Sequence, residues 1–284
     1  MLNLREYRQN PDRISDLLPW AAIVAPGVVL NKDGSFQTTA RFRGPDLDSA
    51  TEAELMTVSA RINNVLKRLG SGWAFYIEAV RCLSTDYPKS QWEDPISYLI
   101  DEERRALFES NQHFESHYYL SLVYLPPSDS KNRIAATFLE ADRKQGITYK
   151  KLLTGFIAEC SRIIQLLESL LPEVKLLTSE ETLTYLHSLI STKSHRLRLP
   201  DNPMYLDGIL ADTSLVPGFE PKLGTRNLRI ISIFGFPGKS QPGLLDCLNR
   251  LSLEYRWVSR FICLDKTEAL SEINRFKRQW FAKR

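Results

Sequence analysis

Gly235-Phe236-Pro237-Gly238-Lys239-Ser240 is the run with the ingredients of a phosphate cradle: two glycines, a lysine and a hydroxyl between an apolar run and a leucine-rich segment. A P-loop places four residues between its first glycine and the Gly-Lys pair, so that successive backbone N–H groups wrap the phosphates. Here the position five before Gly238 is Ile233, Gly235 leaves only two residues between, and Pro237 removes an N–H. The run reads as a strand-to-helix turn capped by Ser240. Nucleotide binding at Gly235–Ser240 is kept as an alternative.

His113-Phe114-Glu115-Ser116-His117 has the residue types of a zinc site. The zinc peptidase pattern is His-Glu-x-x-His on a helix, where both imidazoles share a face. In this run the glutamate comes one place late and the pattern is that of a strand. Four steps along a strand cover about 13 Å, too far for two ligands on one ion. His187 falls near the apolar stripe of a helix and reads as a core or edge histidine. There is no Gly-x-Ser-x-Gly, and no cysteine adjoins a histidine. Glu102-Glu103 belong to a charged helix face. No catalytic residue, nucleotide-binding residue or metal ligand is assigned, and no cofactor.

Two basic stretches remain: Lys193, His195, Arg196 and Arg198, and then Arg275, Lys277, Arg278, Lys283 and Arg284. The net charge of +3 gives no broad positive field. They read as solvated, or as facing an acidic partner or lipid headgroups. A DNA-contacting module is the second alternative.

At 284 residues, with 43% apolar and 25% charged residues, the composition is that of an ordinary soluble protein. No apolar run approaches the ~20 residues of a membrane span, and the N-terminus has no signal-peptide core. The four cysteines, Cys82, Cys160, Cys247 and Cys263, are scattered without a Cys-x-x-Cys pair and read as reduced, buried thiols of a cytoplasmic protein.

The elements follow from pattern. Pro19, Pro26 and Gly27 break the apolar run Trp20–Leu30, and Asp33-Gly34 marks a hairpin turn before the alternating Phe36–Arg43. Thr51-x-x-Glu54 caps a helix, and Trp73–Cys82 is a strand. Asp94–Glu109 is a helix with Asp101 to Arg105 on its wet side, and His113–Leu125 is a strand. Thr148–Leu171 is the longest helix. Its seam of Tyr149, Leu153, Phe156, Cys160, Ile163, Leu167 and Leu170 reads as a core face, with a contact to another subunit as the sharper reading. Thr178-x-x-Glu181 caps the next helix. Asp207–Ala211, Leu228–Phe236 and Tyr255–Leu264 read as strands, with a helix containing Leu244 to Leu251 between the last two. Asp265-x-x-Glu268 caps a terminal helix with Leu270, Ile273 and Trp280 on one side. The fold class is α+β: mainly antiparallel sheets with helices on one face, built from two pseudo-repeated strand-strand-helix-strand units. The division is a unit over 1–192, an exposed loop or linker over 193–205, and a second unit over 206–284.

The words LREYRQNPDRISDLLPWA, APGVVLNKDGSF, ARFRGPDLDSATEAEL, LKRLGSGW, HFESHYYLSLVYLPP, PGLLDCLNRL and YRWVSRFICLD run in order along nearly the whole chain. Together they resemble the N-terminal region of the TrbE/CagE/VirB-type ATPases of conjugative and type IV secretion systems, most of all the TrbE branch. The resemblance implies a hexamer-forming NTPase that powers pilus assembly and transfer. It implies ATP and Mg for the full-length protein, bound in a C-terminal motor domain beyond this stretch, and no ATPase activity for this chain alone. It further implies docking on inner-membrane subunits from a cytoplasmic, peripheral position, with Arg5, Tyr7, Arg8, Leu17, Leu18 and Trp20 as candidate interface residues. The end at Arg284, inside a basic amphipathic pattern, suggests excision or truncation.

Overall fold

Apolar residues on both faces of the same strands organise this chain. In the strand Val28–Asn31, Val28 and Leu30 enter one core while Val29 enters a second. The computed structural model describes residues 13–46, 49–84, 87–110, 113–127, 143–202, 204–233, 238–239 and 244–282. Along them run α1 (Ile14–Leu17), β1 (Trp20–Ala25), β2 (Val28–Asn31), β3 (Phe36–Arg43), α2 (Glu52–Leu66), β4 (Trp73–Leu83), α3 (Pro95–Glu109) and β5 (Phe114–Tyr124). Then come α4 (Arg143–Glu168), β6 (Glu173–Leu176), α5 (Ser179–Ser188), α6 (Leu206–Leu210), the short strands β7 (Leu215–Val216), β8 (Lys222–Leu223) and β9 (Arg226–Asn227), β10 (Tyr255–Ile262) and α7 (Lys266–Ala282).

The main sheet is antiparallel with the order β1-β2-β3-β5-β4-β10, and β6 pairs with the second half of β3 beside β2. The crossover β3-α2-β4 leaves a slot that β5 fills, and α4 carries the chain back to the far side of β3. This is the split β-α-β arrangement of ferredoxin-like folds. The first hairpins form as their turn residues dictate. Gly27 and Gly34 take φ of +66° and +85°, and Asn31 N–H donates to the Ser35 carbonyl at 2.8 Å. The capping boxes at Thr51 and Thr178 both close, with Glu54 and Glu181 accepting from the cap N–H at 2.8 Å.

The longest helix lays Phe156, Cys160, Ile163, Ile164 and Leu167 on Phe36, Ala40, Phe75, Leu120 and Leu122 of the sheet, with Val65 and Leu69 from the end of α2 beside them. The core reading of its seam therefore holds. The α+β class with antiparallel sheet holds too, but helices lie on both faces. The second face is covered at one end by α5 and α6, through Leu183, Leu186, Leu206 and Leu210 against Trp20 and Val29.

Several local readings are corrected. In place of the strand expected over Asp207–Ala211 there is a helix over Leu206–Leu210, because Leu206 and Leu210, one helical turn apart, are both drawn into the second core. Residues 228–233 form no strand: Ile231 is 90% exposed with no sheet to pair into. The expected helix around Leu244–Leu251 is a 3-10 turn over Asp246–Arg250, since Leu244, Leu245 and Leu251 find no surface to bury against. The second strand-strand-helix-strand repeat thus keeps only its last strand, β10, which joins the first sheet by pairing along β4. Asp101 faces inward, accepting from the Tyr87 hydroxyl at 2.8 Å, whereas Ile96, Leu99 and Leu107 face water. Of the cysteines only Cys160 is buried, with its thiol pushed up by desolvation; Cys247 is exposed and Cys82 and Cys263 are half-buried.

Gly27 meets a second constraint. Its N–H donates to Ser179 Oγ at 3.1 Å, and a Cβ there would collide with the Leu177 carbonyl oxygen, whereas Gly34 has open space. Gly27→Ala should lower the free energy of unfolding in urea by about 3 kcal/mol, adding a backbone clash to the strain of positive φ; Gly34→Ala should lower it by only about 1 kcal/mol. Equal losses would mean that the contact with Leu177 is unimportant.

Candidate functional site

Where α5 and α6 stop, the second face of the sheet opens into a groove of about 590 Å³. Strand alternation supplies its floor: Gln37 from β3, Ser121 and Val123 from β5, Ala74 and Tyr76 from β4, and Val258, Arg260 and Ile262 from β10. The registers align them in rows, with Ser121 opposite Tyr76 and Tyr76 opposite Arg260. The Arg260 guanidinium lies 5.7 Å from the Tyr76 ring centroid, within cation–π reach. Trp20, Tyr185 and Leu189 form one wall. At the opposite rim Ser71 ties the start of α7 to the end of α2: its N–H donates to Asp265 Oδ1 at 3.3 Å, its hydroxyl to Glu268, and it accepts from the Asp265 N–H at 3.0 Å. Asp265 and Glu268, expected as a local capping pair, thus bind Ser71 across the fold.

Glu78 is the buried charge of this face, 2% exposed on β4. Its carboxylate accepts from the Tyr185 hydroxyl at 2.7 Å and from Arg256 at 2.8 Å, and Arg256 donates also to Ser188 Oγ at 2.8 Å. Burial, and then the Glu78 charge, push the Tyr185 phenol far above its ordinary range. Tyr119 packs on Tyr185 with centroids 4.6 Å apart. The network joins β4, β10 and α5, three elements that no sequence spacing connects.

No histidine or lysine lines the groove among the described residues, and its buried carboxylate is fully engaged by Tyr185 and Arg256. The arrangement offers aromatic faces, the Arg260 guanidinium over Tyr76, hydroxyls, the Cys263 thiol and, at the rims, the carboxylates of Asp33 and Glu268. Rings, a guanidinium and hydroxyls are groups that recognise a ligand by stacking and hydrogen bonding.

The residues expected to carry an interface separate. Arg5, Tyr7 and Arg8 lie outside the described residues. Leu17 is 57% exposed, while Leu18 and Trp20 are buried in the second core. Of the glycine-rich run, Gly238 and Lys239 are described as an exposed bend and the rest lies outside. The strand reading of His113–His117 holds: His113 stacks on Phe108 at 4.5 Å, and His117 Nδ1 lies 3.5 Å from Arg41.

A second polar cluster escaped the sequence reading. His187, 1% exposed at the end of α5, places Nε2 at 3.2 Å from Asp212 Oδ2, and the His195 ring lies edge-on to it at 4.6 Å. Lys193 Nζ stands 3.1 Å from the same Oδ2, and the Thr213 hydroxyl donates to Oδ1 at 2.8 Å. Desolvation would raise the Asp212 carboxyl, but the hydroxyls of Ser191 and Thr213, and then the nearby His187 ring and Lys193 ammonium, prevail and hold it well below the usual carboxylate range. The four titratable groups, His187, Lys193, His195 and Asp212, come from three segments with no motif spacing, so no sequence signal announces them.

Arg256→Met should lower stability by about 3–5 kcal/mol, because it strands a buried carboxylate. Adding Glu78→Gln should recover a large part of that loss, and the double-mutant cycle in urea measures the coupling. Additive losses would mean that Glu78 does not depend on Arg256.

The description "Type IV secretion system ATPase VirB4/TrbE, N-terminal domain" matches residues 27–132, and "CagE, TrbE, VirB family, component of type IV transporter system" matches residues 171–283. Conjugal transfer protein TrbE of Rhizobium radiobacter is 35% identical over 99% of this chain and 36% of its own length. A shorter probable conjugal transfer protein TrbE of Sinorhizobium fredii is 42% identical over 46% of this chain and 91% of its own length. Type IV secretion system protein virB4 of Bartonella henselae is 22% identical over 89% of this chain and 34% of its own length. The chain therefore spans about a third of the length of the longer relatives. Both halves of the sheet, from the β2–β3 hairpin to β10, fall within the matched stretches, and the chain belongs to the TrbE/VirB4 family of type IV secretion and conjugal transfer ATPases.

Proposed function

We propose that this chain is the docking and assembly part of a conjugal transfer ATPase, anchoring the motor at an inner-membrane channel and helping its subunits associate into a hexamer. The observation that carries this reading is apolar surface on two helices that add nothing to either core. Ile96, Leu99, Ile100 and Leu107 on α3, and Leu270, Ile273 and Phe276 on α7, are all exposed. Helices with such stripes are stable and soluble in numbers only when another surface covers the stripe. No helix among the described residues is long and apolar enough to cross a membrane, so these stripes suit protein contacts better than a span. Leu17 on α1 is a further exposed apolar residue, while Leu18 and Trp20 hold that helix in place. Arg275, Lys277 and Arg278 on α7 suit an acidic partner or lipid headgroups at the membrane face.

In this reading ATP and Mg serve the longer family member, whose hydrolytic site lies beyond this stretch, and the chain by itself turns over no ATP. Saturable ATP turnover that disappears in Lys239→Ala would instead establish the nucleotide-binding alternative. Binding to single-stranded DNA that weakens steeply with salt would establish the DNA-contacting one.

Leu99→Glu and Ile273→Glu should leave the circular dichroism and melting temperature unchanged, because both sites are exposed. Each should weaken capture by the inner-membrane subunits of the same transfer system, or self-association in sedimentation, by about tenfold or more, as expected when an interface anchor is lost. Association unchanged by both substitutions would overturn the assignment of these helices.

A further inference from the structure

We propose that His187, His195 and Asp212 form a binding site for a divalent transition-metal cation of the zinc class. The ligand atoms of the three residues all lie within 4.8 Å of one another. Two imidazoles and one carboxylate are a set that suits zinc, with a fourth position left for water. Tetrahedral bonds of zinc to nitrogen and oxygen separate ligand atoms by about 3.3 Å. His187 Nε2 and Asp212 Oδ2 already stand 3.2 Å apart. His195 lies on an exposed segment without regular structure, so its ring closes on the same point by a shift of about 1.5 Å or less.

Two further observations single out this cluster. His187 is almost wholly buried, yet its Nε2 makes no hydrogen bond of acceptable direction despite its nearness to the carboxylate. A buried ring nitrogen left in that state calls for a partner, and a cation between it and Oδ2 supplies one. Asp212 is also oriented from behind. Thr213 donates to Oδ1, and Ser191 shares a hydrogen bond of 2.9 Å with Thr213, which leaves Oδ2 directed at the histidines. This is the outer-shell support that metal-binding carboxylates commonly have.

Lys193 is the competing cation. Its ammonium lies 3.1 Å from Oδ2 and 3.3 Å from the Asp212 carbonyl oxygen, so it neutralises the carboxylate when no metal is there. The side chain is 60% exposed and returns to water at little cost, since an exposed ion pair contributes about 0–1 kcal/mol. Metal binding would exchange that loose tether for a tighter one. The ion would join the end of α5, the loop around His195 and Asp212, two residues past the end of α6, and so fix the basic loop that carries Arg196 and Arg198.

The test uses the whole chain after chelator treatment. It is titrated with zinc chloride by calorimetry and with cobalt(II) in the visible range. One equivalent is expected to bind, with cobalt d–d bands of a nitrogen–oxygen site and no thiolate charge-transfer band. His195→Ala removes an exposed ligand without touching a core and should weaken binding at least about tenfold. Lys193→Met removes the competitor and should tighten it. Circular dichroism of both variants verifies the fold. The proposal is overturned by binding weaker than about millimolar, far short of the affinity of protein zinc sites. It is equally overturned by affinity that His195→Ala leaves unchanged, or by a thiolate band that disappears in Cys247→Ser, which would place the metal at the exposed cysteine.

Discussion

Glu78 is a carboxylate that this fold removes from water, and much of the architecture is arranged around keeping it paired. A bare carboxylate in such a place would cost several kcal/mol. Its partners come from 107 and 178 residues further along the chain, Tyr185 on α5 and Arg256 on β10. Satisfying one charge therefore fixes how two later elements sit on β4. The pairing of β10 along β4 places Arg256 opposite Val80, next to the residue it must reach. A slip of one residue would turn Arg256 to the opposite face, along with every other side chain of the strand. The groove inherits its shape from this lock, because Tyr185 and Leu189 of its wall and Val258 and Arg260 of its floor stand on the elements that Glu78 holds to β4.

Local structure was legible in the sequence wherever a short-range rule decides it. Asp33-Gly34 turns because glycine accepts the positive φ. Thr51 and Thr178 cap because the reciprocal glutamate sits three residues on. The stripe from Phe156 to Leu167 finds a core because its spacing matches a helix face. The misreadings share a physical cause: the deciding contact lies far away in sequence. Asp101 is drawn inward by Tyr87, against the charged pattern of its own helix. Leu206 and Leu210 become helix because a core already built by Trp20 and Leu183 receives them in that form. The groove and the cluster at His187 belong to the same kind. Their residues come from several segments, and strand order and helix placement bring them together.

The contrast between the two sheet faces is informative for function. The face under α2 and α4 is apolar and closed, the work of stability. The other is closed only at one end and then gives way to hydroxyls, aromatic rings and guanidinium groups. Helices α3 and α7 stand outside both cores with apolar residues toward water. A chain with a well-packed centre and such a periphery has the character of a component, complete as a fold and unfinished as a surface.

The strand order has a consequence for continuity of the polypeptide. A chain divided anywhere between β5 and α4 would leave β3, β5 and β4 in one piece without the helix that covers them, and with the β4 edge bare. The other piece would hold α4, β6 and β10 with no sheet to join. Each piece would carry what the other lacks: one an exposed apolar floor and open backbone edges, the other the lid and the closing strands. Two separately made polypeptides could then regain the fold only by donating strands and a helix to each other. In this architecture a break in the chain turns folding into association, and its success into a matter of how much of both pieces is present.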